Sequence, residues 1–349
     1  SMVQAELLVL AAAAAAAVAL IQHRGSYSAS ALAPGRTLRN GLRLVGAAPL
    51  ALSTRSLAAA TSSNTCDAMA LTNVKRVPED RLYVSEPNPA WFGNGANAVN
   101  DKNWSNGNWL KSRFHFSFAE YSSYHNQNFG VLRVMNDDLV QPARGFGAHP
   151  HRDMEIVTYV VEGELTHQDS MGTKETLGAG SIQFMTAGRG VRHSEHNLNK
   201  EKPLRFIQTW ITPRARGLPP NYGSMCGDDV AENRQNAWAH LLSDNQNTAA
   251  NTPVEIAQDA NMYATELEEG VSLQVPVGPG RQGYMLCIDG AIAVSHADAD
   301  GNPVELVRHD AAEIMGDENL PLKITAGPDG AHVILFEMAN NGAGGRTDF

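Results

Sequence analysis

Two short pairs of residues carry types and spacing that could do metal chemistry: His149 with His151, and His193 with Glu195. Side chains on a strand alternate between faces, so residues i and i+2 point the same way. His149 and His151 then share a face with Pro150 turned outward, and His193 and Glu195 share one with Ser194 turned outward. If the two strands face each other inside a small barrel, three imidazoles and one carboxylate converge. Such donors suit a divalent first-row metal and leave positions open for water, substrate or O2. Non-haem iron is the natural candidate, while Mn, Ni, Cu, Co and Zn accept the same donor types. One His-x-His alone is weak evidence, because a strand histidine is more often a satisfied polar residue than a ligand. Two such pairs in one strand-rich region, each beside glycine-rich turns, are much harder to obtain by accident.

Other residues compete for roles. Glu155 stands four residues beyond His151, which on a regular strand is about 13 Å, so only a turn would bring it to the same ion. His167, beyond the Gly163 turn, is placed either to hydrogen-bond a ligand or to face solvent. His196 follows Glu195 and is expected to face away from the metal and be exposed. Arg152, Arg189 and Arg192 flank both motifs and fit loop support, charge at a pocket mouth or a plain surface role. There is no Walker A sequence, since Gly188-Arg189-Gly190 reads as a turn between strands, and no Gly-x-Ser-x-Gly nucleophile elbow.

The elements that must position these groups read as strands. Residues 113–215 break into short apolar runs separated by Gly, Pro and Asn/Asp turns, the pattern of an all-β barrel or sandwich. Ile156/Thr158/Val160 and Val157/Tyr159/Val161 make both faces of one strand largely apolar, as for a strand packed on both sides. Residues 85–108, rich in Asn, Gly and Pro, predict a long loop that serves as a lid or strap or is pinned by its aromatic residues. The polar stretch after Tyr222 carries a possible helix at Asp228–Leu242, with an irregular excursion nearly as consistent. A second strand run covers residues 261–338, with tight-turn pairs at Asp289-Gly290 and Asp300-Gly301. It has no His-x-His or His-x-Glu pair, so this half is expected to be metal-free. His296, His309 and His332 read there as surface or packing residues.

The stretch from Gly145 to Glu155 (Gly-Phe-Gly-Ala-His-Pro-His-Arg-Asp-Met-Glu) and that from Met185 to Glu195 (Met-Thr-Ala-Gly-Arg-Gly-Val-Arg-His-Ser-Glu) closely resemble the two metal motifs of the pirin family of the cupin superfamily, especially its bacterial-type members. The similarity begins near Trp109-Leu110-Lys111-Ser112, continues past Trp210-Ile211-Thr212-Pro213, and covers about two thirds of the chain. The resemblance implies an all-β bicupin: a metal-binding cupin at 71–215, a connector at 216–255 and a metal-free cupin at 256–349. It also implies one mononuclear metal held by His149, His151, His193 and Glu195, with Fe(II) the expected ion. The implied activity is that of a metal-dependent, quercetinase-like dioxygenase acting on a small aromatic substrate and O2, with Glu195 as general base. The family's other mode is a redox-responsive regulatory protein that binds a partner protein.

Composition bears on that choice. Net charge is −10 over 349 residues, and residues 1–66 carry five Arg and one Glu, leaving −14 on the rest. An acidic body argues against direct nucleic-acid binding. Cys66, Cys226 and Cys287 are far apart and read as free thiols of a reducing compartment. Leu7–Ile21 is an apolar run of secretory h-region length, too short for a stable membrane span, and the Arg- and Ser-rich segment behind it has transit-peptide composition. Together, residues 1–70 resemble the two-part leaders of algae with secondary plastids. Ala29-Ser30-Ala31-Leu32-Ala33-Pro34 stands at the junction, with Leu where Phe is usual; mitochondrial and secretory addresses are the alternatives. Such a leader favours the enzyme over a nuclear cofactor. A fluorescent protein fused after Ala70 should enter the plastid of such an alga. Import into mitochondria, or a uniform cytosolic signal, would defeat the plastid address.

Overall fold

A computed structural model describes residues 71–92, 94, 109–297, 301–317 and 321–340. Residues 1–70, expected to be a leader, most of the loop expected at 85–108, and Asp300 of the expected Asp300-Gly301 turn lie outside the described residues. The first half contributes β1 (Val74–Val77), β2 (Tyr83–Ser85), β3 (Leu110–Phe114), β4 (Leu132–Val140), β5 (Gly145–His151) and β6 (Glu155–Glu162). There follow β7 (Leu165–Asp169), β8 (Lys174–Leu177), β9 (Ile182–Thr186), β10 (Val191–His196), β11 (Leu204–Ile211) and β12 (Asn221–Met225). The second half holds β13 (Ala239–Asp244), β14 (Val254–Ile256), β15 (Ala260–Leu267) and β16 (Ser272–Gln274). It ends with β17 (Arg281–His296), β18 (Val304–Val307), β19 (Ala311–Met315) and β20 (Leu322–Ala339).

A seven-stranded sheet, β12-β9-β6-β11-β4-β3-β2, faces a four-stranded sheet, β5-β10-β7-β8, and the two enclose the first barrel. The second barrel is a nine-stranded sheet wound around the long strands β17 and β20. This is the all-β, two-barrel architecture expected of a bicupin. Among the described strands, β1 crosses between the halves, pairing with β19 of the second barrel, whereas β12, which lies in the connecting region, closes an edge of the first.

The strand at Glu155–Glu162 has apolar residues on both faces because both are covered. Ile156 and Val160 point into the first barrel, while Val157 and Tyr159 join a cluster with Leu286, Ile334 and Phe336 of the second. The possible helix at Asp228–Leu242 is not what forms. One 3-10 turn at Gly227–Val230 and one helical turn at Ala231–Arg234 are followed by β13. Asn236 adopts a left-handed φ of 54° and donates its N–H to Glu266 O, which ends the helical turn and hands the chain to the sheet. Ala239 and Leu241 then bury one face as a strand does.

A buried ion network locks the barrels together. Arg205 of β11 donates Nε and Nη2 to the two Asp137 oxygens at 2.9 and 2.8 Å, Nη1 to Asp289 of β17 at 3.1 Å, and Nη2 to Ile288 O at 2.8 Å. His309 contacts Asp137 at 2.7 Å. Burial alone would raise the Asp137 carboxyl, but the bonds and charges of Arg205 and His309 outweigh it and hold the group far below its usual value. His309, like the 3 % exposed His296, is therefore buried, a packing rather than a surface residue.

Removing one partner from such a pair leaves a buried charge uncompensated, so Asp137→Ala should lower stability by about 3 kcal/mol or more in urea unfolding. Because the folded carboxyl lies below the unfolded one, its contribution is present above about pH 4 and is lost as pH falls further. The variant should accordingly show a flatter acid limb than the parent.

Candidate metal centre

The middle layer of the first barrel is polar. Registers place Ile156 opposite Trp210 and Met185 toward one end and Val160 opposite Phe206 toward the other, with Thr158, Gln183 and Gln208 in one row between them. β5 and β10 pair across this layer with His193 opposite His149, and a register shift between His193 and Glu195. Gly145 permits that approach, since a Cβ there would lie 2.4 Å from Glu195 O.

The rings of His149, His151 and His193 form a near-equilateral triangle with centroids 4.6–4.7 Å apart. His149 Nε2 and His193 Nε2 are 3.1 Å apart, and Glu195 Oε2 is 3.8 Å from His193 Nε2. His149 Nδ1 donates to Gly147 O at 2.8 Å, so its Nε2 is a lone pair. On the far side of His193, its Nδ1 meets His167 Nδ1 at 3.4 Å, and His167 Nε2 meets Asp169 Oδ2 at 3.1 Å. Asp169 accepts from His167 Nε2–H, and His167 Nδ1 accepts from His193 Nδ1–H. This assignment leaves the His193 Nε2 lone pair aimed at His149, the tautomer being fixed by the network. Two facing lone pairs at this distance repel unless a cation sits between them, so the donor set fits a metal ion.

Electrostatics agree. Burial, reinforced by the neighbouring rings, pushes His149 down to about 4 and His151 well below its ordinary value. Burial, and then the neighbouring His167 ring, push His193 down to about 3. All three are neutral donors at pH 7. For Asp169 burial opposes ionisation, but the bonds from His167, Thr173 N and Met171 N prevail and lower it.

Glu195 is 3 % exposed and rests on the polar row. Gln208 Nε2 donates to both of its oxygens at 3.1 and 2.9 Å, and Thr158 Oγ1 donates to Gln208 Oε1 at 2.7 Å. Tyr222 stacks on His167 at 4.8 Å and donates its hydroxyl to Glu175 at 2.8 Å. Asp138 follows on the inner face of β4, its carboxyl pushed up to about 8 by burial and then by the charges of Asp137 and Glu195.

Glu155 does not reach this group. It is fully buried on the opposite face of β6, accepts from Thr186 Oγ1 at 2.7 Å, and faces Ala257 N of the second barrel. His196 does face away from the triangle but is half-buried rather than exposed. Arg152, Arg189 and Arg192 are exposed, and Arg192 Nη2 donates to Ala148 O beside His149. Reading the sequence missed Gln208, Thr158, Gln183 and Asp169. The available signal was one polar residue among the inward-facing apolar residues of each of three strands, and an i+2 carboxylate after His167. Among the described residues, the groups able to hold a metal are His149/His151/His193 and His167/His193/Glu195.

A two-barrel cupin with a histidine-rich pocket in its first barrel is the class that fold and site define. Comparison then narrows it. Residues 97–211 match the Pirin family model, and residues 241–338 match that of the quercetinase C-terminal cupin domain. The chain is 39% identical to a pirin-like protein of Caulobacter vibrioides over 66% of its own length and 93% of that protein. It is 34% identical to a quercetin 2,3-dioxygenase of Escherichia coli K12 over 69% of its length and 96% of the relative. The solved bacterial pirin YhhW of Escherichia coli, in complex with nickel(II), superposes with a TM-score of 0.60 at 28% identity, covering 76% of this chain and 99% of that one. This chain belongs to the pirin family.

Because His167 and Asp169 fix the His193 tautomer, His167→Ala should weaken divalent-ion affinity about 10–100-fold in chelator competition, whereas Glu155→Gln should leave it unchanged. Lowered imidazole values mean protons compete late. Ion uptake should stay flat from neutral pH to about pH 5 and fall only toward the His149 and His193 values of about 4 and about 3.

Proposed function

We propose that the chain is a metal-dependent dioxygenase opening a flavonol or related enolic phenol, with the ion held by His149, His151, His193 and Glu195. The observation that carries this reading is the Glu195 carboxylate set 3.8 Å from His193 Nε2, beside three neutral imidazoles. The names of the relatives support the reaction class. Fe(II) is the proposed ion; the nickel found in YhhW belongs to that protein and makes Ni the first alternative. A bound divalent ion supplies Lewis acidity toward an enolic oxygen and an open position for O2.

The chain's own residues do the rest. Glu195 is aimed by Gln208 and accepts the substrate hydroxyl proton as general base. Trp210 presents its ring to His151 with centroids 4.8 Å apart, giving the pocket an aromatic wall. Residues 1–70, by composition, are proposed as a plastid leader for this enzyme.

The test is O2 uptake by iron- and nickel-loaded protein on a panel of flavonols and other enediol-like phenols. Glu195→Gln should lose about a hundredfold or more in turnover, and His151→Ala should lose stoichiometric metal by elemental analysis. Full metal occupancy in His151→Ala would remove the donor assignment. No O2 uptake on any phenol by fully loaded protein would remove the activity.

A further inference from the structure

A cleft of about 500 Å³ lies between the two barrels, on the other face of β6 from the histidine triangle. Interfaces between domains are common places for small-molecule sites, and this volume suits one. The cleft is defined by what its charged groups have left over. Glu266 already accepts from Arg234 Nε at 3.2 Å, and Asp289 is held by Arg205 and by Arg308 at 2.9 Å. These carboxylates are matched.

Three groups are not. The Arg234 side chain is 6% exposed; its Nη1 donates to Gly180 O and Gly227 O, but Nη2 has no acceptor among the described residues. Gly180 makes room for that nitrogen, because a Cβ there would lie 2.4 Å from it and the local φ is +76°. His332 Nε2 lies 2.9 Å from the Tyr159 hydroxyl. Burial pushes this imidazole down to about 4, so it is neutral at pH 7. With Nε2 accepting from Tyr159, Nδ1–H is its remaining donor. Asp329 is exposed at the rim and has no donor among the described residues. β17 carries register irregularities between Cys287 and Asp289 and between Gly290 and Ile292, beside the two cleft-lining residues Asp289 and Gly290, and such irregularities recur beside binding sites.

Two unmatched donors therefore lie inside and one unmatched carboxylate lies outside. A simple anion would reach the donors past Glu266, Asp289 and Asp329, and a simple cation would meet the Arg234 guanidinium. A molecule carrying both charges satisfies both ends. We propose that this cleft is a second binding site, independent of the metal centre, for a small zwitterion of amino-acid size. Its carboxylate lies on Arg234 Nη2 and His332 Nδ1, its ammonium on Asp329, and its apolar body against Val161 and Leu267.

The test is calorimetric titration of the full chain with L-leucine, with L-leucinamide, which lacks the carboxylate, and with 4-methylpentanoate, which lacks the ammonium. L-leucine should bind, and each analogue should bind about tenfold or more weakly, since each loses a charge-assisted contact. Asp329→Asn, which removes no bond of the folded chain, should weaken L-leucine to the same degree. Arg234→Gln should do so too, provided its unfolding curve matches the parent. No binding of L-leucine, equal binding of either analogue, or unchanged binding by Asp329→Asn overturns the site. Metal content and O2 uptake of the same preparations report on the first barrel separately, so failure of one reading leaves the other standing.

Discussion

Double burial of the sheet formed by β6, β11 and β4 is the constraint on which the rest of the molecule depends. One face closes over the interior of the first barrel, and the other is the wall against the second. A strand in that position has no solvent to hydrate a polar side chain, so a polar group there is costly unless it finds a partner inside the protein. The inner face answers with the Thr158–Gln208–Glu195 chain. The outer face answers with the Arg205–Asp137–His309 network and the Tyr159–His332 bond. Neighbouring residues on one strand thus serve different tasks: Thr158 braces the candidate metal group while Tyr159 braces the barrel interface.

That arrangement explains why the histidine group is built on strands rather than on loops. His149 and His151 come from β5 and His193 from β10, with one ring nitrogen of His149 and of His193 already tied to Gly147 or His167. Those bonds and the two paired strands orient the donors, which is what a preorganised donor set requires. The apolar layers on either side keep the imidazoles neutral by denying them solvation, so the same burial that would penalise a charged histidine prepares it as a donor.

Much of this was legible in the sequence, and the limits are physical. The i,i+2 spacing of His149/His151 and of His193/Glu195 carries the shared face directly, because strand alternation is a local rule. The two-sided burial of β6 was legible from Val157, Tyr159 and Val161, which leave no polar face for solvent. Gln208 was not, because what makes it notable is its register against Thr158 and Gln183, and register is a long-range property. The stretch at Asp228–Leu242 misled for a related reason. Its local composition tolerates a helix, and only the left-handed Asn236 and the partner strand β15 decide otherwise. His309 and His332 looked isolated because their partners, Asp137 and Tyr159, lie far away along the chain in the other barrel.

The pairing of β1 with β19 has a consequence for how the chain is made. Val74 aligns with Ile314, so the earliest described strand waits for one of the last before it has a neighbour. A contact of such sequence separation closes a long loop and forms late. During synthesis the first barrel can assemble around its own strands while β1 trails unpaired beside it. Completion of the second barrel captures that strand and fastens the front of the chain to its back. The joint between the two halves is in this sense a clasp, shut by the order in which the strands are born.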